Sequence, residues 1–484
     1  MTKQSQQKSA RALVMAAVFI ATFMTSVEVT IVTTALPTII SKLHGLAFQS
    51  WIMSAYLLTT AVTTPIYGKL ADVLGRKRIF QWGVLIFTLG SGLSGLAPHI
   101  GILILARALQ GIGAGAVMPL TFTIIADYYS YEERAKIMAL NNTAWGLSAL
   151  IGPLLGGFLV DTLSWHWVFF VNVPLGLMVL VLIWIGYREP KRPQVKLQVD
   201  LAGILWLAVM LVSLLLAVQQ LDHKPLDTLF LFIVAVIGFS GLWRCEHRAT
   251  EPLIDPKMFQ NKTFTVQIGT AMLLSGALIA YQTYFPIWLQ SLYHLPATSA
   301  GLAVSSSSIM WLVASFFVGY ILAHYVPKYT ILLVVSILTV VYAGLLFTNL
   351  HFPVALFYVI AALNGTGMGL VVSMNTILSQ HLVPTNMIGS ATAMFTLGRS
   401  LGQTLLAGIY GAVLNLSLNL NRGSIPFQQL NKAISADHTQ HLAHQAAINL
   451  VLLQGLHAVF AVVVVLLVLV LLLNLWDPNR NVIK

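Results

Sequence analysis

The stretch Gly68-Lys-Leu-Ala-Asp72-Val-Leu-Gly75-Arg76-Lys77-Arg78 lies between two apolar runs, 49–69 and 79–97. Each run has about the length that a helix needs to cross a membrane, which is about 20 residues. The segment between them combines a glycine that can end a helix with a compact cluster of positive charges. Such a segment is typical of a cytoplasmic turn between two spanning helices, because positively charged loops stay on the inner side.

The composition of the whole chain agrees with a membrane protein. Of 484 residues, 57% are hydrophobic and 8% are charged, and the mean hydropathy is +0.83. Ordinary soluble domains are about 25% charged. These values exclude a cytosolic enzyme, a nucleic-acid-binding domain and a disordered protein, and they predict an all-α polytopic membrane protein.

Fourteen apolar runs of spanning length alternate with polar breaks along the chain. They are 13–36, 49–69, 79–97, 102–125, 136–160, 167–187, 200–221, 226–243, 264–291, 298–323, 330–348, 353–379, 389–416 and 451–475.

An even number of spans places both termini on one side of the membrane. If that side is the cytoplasm, the inner segments hold 20 of the 26 Lys and Arg residues and the outer segments hold 4. The remaining two, Arg107 and Arg399, lie within spans. This asymmetry predicts a multi-pass plasma-membrane protein with cytoplasmic termini, and it explains the net charge of +11 without nucleic acid as a partner.

Two spans carry a matching row of small residues. Ala108-Leu-Gln-Gly-Ile-Gly-Ala-Gly115 in the fourth span corresponds to Ala362-Leu-Asn-Gly-Thr-Gly-Met-Gly369 in the twelfth. The match is expected if spans one to six and nine to fourteen are related halves, an architecture of secondary transporters. It predicts three parts: a six-helix bundle in 1–187, two inserted helices with a cytoplasmic linker in 188–263, and a second six-helix bundle in 264–484.

Several motifs resemble those of one transporter family. The loop Gly68–Arg78 resembles the cytoplasmic signature of the major facilitator superfamily, and Arg107-Ala-Leu-Gln110-Gly111 resembles its helix-4 motif. The fifth span, Gly146-Leu-Ser-Ala-Leu-Ile-Gly152-Pro153-Leu-Leu-Gly156-Gly157, is similar to the motif of its antiporters. Three further segments resemble those of the fourteen-helix drug:proton antiporters of the EmrB/QacA type: Ser164–Gly176, Glu251–Phe259 and Glu28–Pro37. In that family, Asp usually stands where Glu28 does and Asn where Thr33 does.

The resemblance implies a major facilitator fold, with two six-helix bundles and two inserted helices. It implies a non-enzymatic exporter that works by alternating access, is driven by the proton gradient and needs no cofactor. Its expected partners are a small amphiphilic substrate, H⁺ and the lipid bilayer, and the protein is expected to be a bacterial monomer. The loop residues Gly68, Asp72, Gly75, Arg76 and Lys77 would form a latch between the halves, although a simple topology anchor is the alternative.

The fifth-span motif is expected to act through packing. Its small residues let two helix backbones approach closely, and its proline can bend the span. These residues are Gly146, Gly152, Pro153, Gly156 and Gly157.

Glu28 is the only one of fifteen acidic residues that falls deep within a predicted span. A buried ionisable group is a functional candidate by default because it is costly unless it is paired or protonated. Glu28 lies roughly 22 Å along the first span, which starts at the inner face of the membrane. Arg107 lies roughly 8 Å along the fourth span, which starts at the outer face. In a hydrocarbon core roughly 30 Å thick, the two residues are therefore at the same depth. We therefore predict that Glu28 and Arg107 face each other and couple transport to protons. A permanent pair that only fixes helix packing is the alternative.

Arg399 lies roughly 15 Å into the thirteenth span and has no acidic partner in any nearby span. Aromatic and amide residues within spans suit a cavity that binds apolar ligands with little selectivity. For each of these residues taken alone, a role in helix packing is the alternative. The predicted substrate cavity comprises Glu28, Tyr56, Trp145, Tyr281, Gln282, Tyr284, Trp311, Asn364, Asn375 and Arg399.

The expected function is export of lipophilic, cationic drugs. The charged residues deep within the spans have a net charge of +1; they are Glu28, Arg107 and Arg399. The alternative function is therefore export of an anionic amphiphile or metabolite, such as a bile salt or fatty acid. A non-transporting sensor is a third possibility. No metal site is expected, because Cys245 is the only cysteine and the spaced histidines His438, His441 and His444 suit a solvated helix better.

Overall fold

The computed structural model describes residues 3–45, 48–129, 131–189, 201–219, 225–248, 259–382, 388–433 and 445–480. Regular structure in these ranges is helical. Long apolar runs form helices because a helix satisfies its own backbone N–H and C=O groups, which a lipid core cannot do.

The helices fall into three sets along the chain. The first comprises α1 (Lys3–Lys42), α2 (Gln49–Leu74), α3 (Arg76–Gly95), α4 (Ile100–Tyr128), α5 (Tyr131–Thr162), α6 (Trp167–Phe170) and α7 (Asn172–Gly186). The second comprises α8 (Leu201–Gln219) and α9 (Pro225–Arg248). The third comprises α10 (Lys262–Tyr293), α11 (Ala297–His324), α12 (Pro327–Leu345), α13 (Val354–His381), α14 (Ile388–Asn421), α15 (Phe427–Ala433) and α16 (Gln445–Leu475).

Each predicted span overlaps one long helix, or the pair α6 and α7 in the case of 167–187. In the described ranges, 11 helices are long and apolar enough to cross a membrane. Helices α2 and α3 are not among them, and α8 contributes a shorter apolar segment, Ala202–Leu214. The protein is therefore an all-helical, multi-pass membrane protein, and the count of fourteen spans stays a prediction.

The contacts between helices define two groups. In the first, α4 packs between α2 and α3, while α1 packs against α5 and α7. In the second, α11 packs on α13, and α10 packs on α14 and α16. Helices α8 and α9 pair with each other, and α8 also contacts α2 and α14. The exact boundaries at 187 and 263 stay a prediction.

The small-residue repeat makes equivalent contacts in the two groups. In α4, Gly111 and Gly115 lie against α2, and Gly113 lies against α3. In α13, the matching Gly365 and Gly369 lie against α11, while Gly367 lies against α12. The packing of α4 on α2 and α3 is thus repeated by α13 on α11 and α12. The predicted repeat has a structural counterpart, in which glycines allow close helix contact.

The two groups meet along α5 and α11. Pro153 lies inside α5 and has no backbone N–H, so the helix offers no donor to the carbonyl of Ala149. Ser308 of α11 supplies that donor from the other group, with its Oγ 2.6 Å from the Ala149 oxygen. One turn away, Ser305 donates to the Leu150 carbonyl at 2.8 Å. The proline therefore creates an acceptor that joins the groups.

Further contacts between the groups lie toward one face of the molecule. We call the face at which α1 begins and α16 ends the terminal face, and the opposite one the distal face. Near the distal face, Asp161 at the end of α5 accepts hydrogen bonds from the backbone N and the Oγ1 of Thr298, at 3.0 and 2.5 Å. Gln290 of α10 donates to the Thr34 carbonyl of α1 at 3.2 Å. These contacts hold the two groups together toward the distal face.

Two glycines of α5 give a matched test of this contact. A Cβ at Gly157 would lie 2.5 Å from the Cα of Thr298, a backbone atom that cannot move aside cheaply. A Cβ at Gly146 would meet only a side-chain carbon of Leu312 at 3.8 Å. We expect Gly157→Ala to destabilise the protein by about 1–3 kcal/mol through overpacking. Thermal unfolding in detergent, followed by circular dichroism, should show a lower midpoint for Gly157→Ala and an unchanged one for Gly146→Ala. Equal midpoints would contradict the tight contact at Gly157.

Candidate functional site

The centre of the candidate site is a buried ion pair. Glu28 of α1 and Arg107 of α4 are both 0% exposed, and Nη1 of Arg107 donates a hydrogen bond to Oε1 of Glu28. The predicted contact between these two residues is therefore confirmed. The 1.5 Å rise per helical residue was sufficient to place both side chains at one depth.

Asn172 at the start of α7 completes the coordination of the carboxylate. Its Nδ2 lies 2.5 Å from Oε2 of Glu28 and 3.2 Å from the hydroxyl oxygen of Ser91. Each carboxylate oxygen of Glu28 thus has its own donor, one charged and one neutral. The Oδ1 atom of Asn172 is buried and has no hydrogen-bond partner among the described residues.

Arg107 is held by groups that do not depend on Glu28. Its Nε donates to the Ile52 carbonyl at 3.1 Å, and its Nη1 also donates to Oε1 of Gln110 at 2.7 Å. Its guanidinium lies 4.4 Å from the centre of the Tyr56 ring and 5.7 Å from that of Phe169. Tyr56, predicted as a cavity residue, is 3% exposed and supports Arg107 through a cation–π contact.

Other predicted cavity residues lie in the packed interior of the second group. Tyr281 donates to the Ala303 carbonyl, and the ring of Tyr284 contacts that of Tyr410 edge-on at 6.1 Å. Asn364 accepts a hydrogen bond from Tyr342 at 2.8 Å.

The remaining candidates of the second group occupy different environments. Asn375 is fully buried, and both atoms of its amide lack a partner among the described residues. Gln282 and Trp311 are half-buried, and Trp311 packs against an apolar cluster that includes Phe264, Val372 and Phe395.

Trp145 faces the space between the two groups. Trp145 is 36% exposed. Leu147 and Phe158 are also exposed, but they lie on roughly the opposite side of α5. Ser148, one turn after Trp145 on the same side of α5, contacts Ser26 of α1. Because Leu147 and Phe158 mark the lipid side, the exposure of Trp145 indicates open space between α1 and α11.

The antiporter-type motif of α5 packs as the sequence predicts. Gly152 lies against Thr30 and Gly156 against the Ile31 backbone, both on α1. Pro153 and Gly157 lie against α11, and Gly146 has room for a Cβ at ordinary contact distance from Leu312 of the same helix.

The loop residues tie the helix ends of the first group together at the terminal face. Gly75 has a positive φ of 95°, which suits glycine, and the N–H of Arg76 donates to the Glu189 carboxylate at 2.5 Å. Arg76 also pairs with Asp127 at 2.7 Å. Lys77 donates to the Tyr187 carbonyl at 2.7 Å, at the end of α7. These bonds join α3 to α4 and α7.

Two of the predicted loop residues cannot be placed in this network. Both residues belong to α2, but the surroundings of Gly68 and the side chain of Asp72 lie outside what the structure describes. The latch between the halves therefore stays a prediction. His438, His441 and His444 also lie outside the described residues.

Sequence reasoning missed several residues that complete these sites. Asn172 is the only amide in its apolar span, and that isolation could have marked it. Glu189 and Asp161 stand just beyond apolar runs, where a carboxylate can cap a neighbouring helix. The serine run 305–308 suggests helix packing, but the specific partner of Ser308 could not be predicted, because it is a carbonyl that the proline of another span leaves open.

Comparisons with known proteins agree with this architecture. The family description "Major Facilitator Superfamily" matches residues 18–407. Multidrug resistance protein 3 of Bacillus subtilis (strain 168) is 32% identical over 418 residues, covering 85% of this chain and 81% of that protein. Multidrug transporter protein MdtP of the same organism is 33% identical over 423 residues, covering 86% and 77%.

A solved structure shares the fold at low sequence identity. It is a bacterial homologue of the human lysosomal transporter Spinster, crystallised in an inward-facing and occupied conformation, and 96% of each chain aligns with a TM-score of 0.71 at 14% identity. The chain therefore belongs to the major facilitator superfamily and is related to its multidrug efflux transporters.

Proposed function

We propose that the protein is a proton-coupled exporter of lipophilic drugs and toxic compounds. It would span the plasma membrane of a bacterium fourteen times, with both termini in the cytoplasm, and would work as a monomer by alternating access. The observation that carries this proposal is the buried Glu28–Arg107 pair, together with the neutral groups around it. The names of the related multidrug transporters support the substrate class.

The surroundings of Glu28 suit a carboxyl group that gains and loses a proton. In the ionised state, Arg107 and Asn172 donate to its two oxygens. In the protonated state, the carboxyl group becomes a donor. The unpartnered Oδ1 of Asn172 can accept that bond if the amide rotates, so Asn172 can serve both states.

Proton uptake by Glu28 would not leave Arg107 without partners. The Ile52 carbonyl, Oε1 of Gln110 and the Tyr56 ring continue to hold the guanidinium. Burial disfavours the charged form of Glu28, whereas Arg107 favours it. The two effects oppose each other, which is the condition for a group that loads and releases protons during a transport cycle.

The contacts between the two helical groups support the direction of transport. The hydrogen bonds of Asp161 with Thr298 and of Gln290 with Thr34 close the distal face. Trp145, on the side of α5 that lies between α1 and α11, is 36% exposed. If the terminal face is cytoplasmic, this conformation would take up a substrate from the cytoplasm or the inner leaflet.

The net charge of the deep residues favours a second candidate substrate class. Because Glu28 already pairs with Arg107, the only further deep charge is the cation Arg399. Export of an anionic amphiphile, such as a bile salt or fatty acid, is therefore the second candidate. A cationic substrate would have to compete directly with Arg107 for Glu28.

Transport in everted membrane vesicles tests the proposal. A pH gradient is generated by respiration and followed with a fluorescent amine, and ethidium or taurocholate is then added. We expect at least one compound to dissipate the gradient through the wild-type protein. Glu28→Gln should reduce this response by about tenfold or more, because it removes the titrating group, whereas Glu28→Asp should retain part of it. The proposal fails if neither compound has an effect, or if Glu28→Gln transports as well as the wild type at equal membrane abundance.

Chemical labelling tests the proposed topology. The chain has one cysteine, so a Cys245→Ser variant has none, and a single new cysteine can be introduced into it for labelling. Ser424 and Pro478 are both exposed, one beyond α14 at the distal face and the other beyond α16 at the terminal face. A membrane-impermeant maleimide added to intact cells should label Ser424→Cys and should reach Pro478→Cys only after permeabilisation. The reverse pattern would contradict cytoplasmic termini.

A further inference from the structure

Arg399 differs from Arg107 in its partners. It lies roughly 16 Å into α14 from Ile388 and is half-buried. Its Nε donates to the Ser275 hydroxyl at 3.3 Å, a long hydrogen bond. Its terminal nitrogens Nη1 and Nη2 make no hydrogen bond with any residue in the part of the chain that the structure describes. Most of its donors are therefore available to a ligand.

Among the described residues of the second helical group, no carboxylate lies within a span to neutralise this cation. Residues 264–484 contain only two acidic residues, Asp437 and Asp477. Asp477 lies beyond the end of α16 and accepts hydrogen bonds from Thr263 and Gln267. Asp437 lies outside the described residues and outside every predicted span. In the first group, Glu28 is occupied by Arg107 and Asn172.

An uncompensated arginine in a span is expensive. Arginines near the centre of a membrane helix are rare for this reason, and they mark substrate pathways or water-filled cavities. The guanidinium fork matches carboxylate, sulfonate and phosphate groups, which it can bind through two parallel hydrogen bonds. An anionic ligand would therefore supply the missing partner.

A packed apolar cluster lies next to Arg399, and its members Trp311 and Met394 are only half-buried. Phe395 lies one helical turn before it on α14 and belongs to a cluster with Ile268 of α10 and Val372 of α13. Asn375, one turn after Val372 on α13, is fully buried with both amide atoms unpartnered among the described residues. A cation one turn from an apolar cluster, with an unpartnered amide on the adjoining helix α13, suits an amphiphile whose polar end is anionic.

We propose that Arg399 binds the anionic group of an amphiphilic substrate, whose apolar part lies against the cluster around Phe395. This inference rests on the proposed export function and specifies its substrate class as carboxylate, sulfonate or phosphate amphiphiles. The anion belongs either to a free amphiphile in transit or to the headgroup of an anionic lipid, since both present the same chemistry to the guanidinium.

Binding of two matched ligands to the purified protein tests the proposal. The probes are a fluorescent bile-acid derivative with a free carboxylate and its methyl ester, which differ in charge but hardly in apolar surface. We expect the wild-type protein in detergent to bind the carboxylate about tenfold more tightly than the ester, which corresponds to about 1.4 kcal/mol. Arg399→Gln should remove the difference, and Arg399→Lys should retain part of it.

Two controls separate a binding role from a structural one. Arg422 is a cation just beyond the end of α14, and Arg422→Gln should leave the preference for the carboxylate unchanged. Without ligand, Arg399→Gln should unfold at the same temperature as the wild type or at a higher one, because it removes an unpaired charge. A purely structural Arg399 would instead give a lower unfolding temperature with the ligand preference intact, and that result would overturn the proposal.

The source of the anion is resolved by repeating the binding in lipid nanodiscs. If phosphatidylglycerol weakens carboxylate binding to the wild type but not to Arg399→Gln, the headgroup occupies the site. If it has no effect while the preference persists, the site takes free amphiphiles. A wild-type protein without any preference for the carboxylate overturns the inference. Ethidium export that depends on Glu28 would then still support the proposed function, so the two failures are distinguishable.

Discussion

The first helical group depends on one ion pair, between Glu28 and Arg107, whose side chains are both fully buried. Removing one partner of such a pair costs about 3–5 kcal/mol where nothing else holds the remaining charge. Here the Ile52 carbonyl, Gln110 and the Tyr56 ring hold Arg107 when Glu28 is neutral. Helix α2 supplies the Ile52 carbonyl and the Tyr56 ring, and α7 supplies Asn172. The pair thereby connects α1, α2, α4 and α7, and a change in its charge affects the packing of all four helices.

The same pair lies close to the contact between the two groups. Ser26, two residues before Glu28, hydrogen-bonds Ser148 of α5. The next residue of α5 is Ala149, whose carbonyl Pro153 leaves open and Ser308 of α11 occupies. Helices α1 and α5 therefore link the segment that carries the buried carboxylate to the second helical group. In a transporter that rocks one bundle against the other, this is where a change at Glu28 can alter the contact between bundles.

Much of the fold follows from features that act within one span. The lengths of the apolar runs predicted the helices, and the matching glycines of α4 and α13 predicted the repeat. The rise per helical residue predicted that Glu28 lies opposite Arg107. Contacts that depend on helix rotation could not be obtained in this way, because packing against neighbours sets tilt and rotation. The bonds of Asn172 to Glu28 and of Ser308 to Ala149 are of this kind. For the same reason, Tyr281 was predicted to line a cavity and lies in packed interior, since its residue type does not show which side of α10 faces α11.

Proton release on substrate binding is the measurement that tests proton coupling most directly. Purified protein in weak buffer is mixed with a transported substrate, and a pH indicator reports protons that leave the protein. The informative comparison is the double variant Glu28→Gln with Arg107→Gln, which removes both charges and leaves no unpaired one behind. We expect the wild type to release protons in proportion to bound substrate, and the double variant to bind substrate without releasing them. Equal proton release by the two proteins, or binding to the wild type without any release, would contradict it.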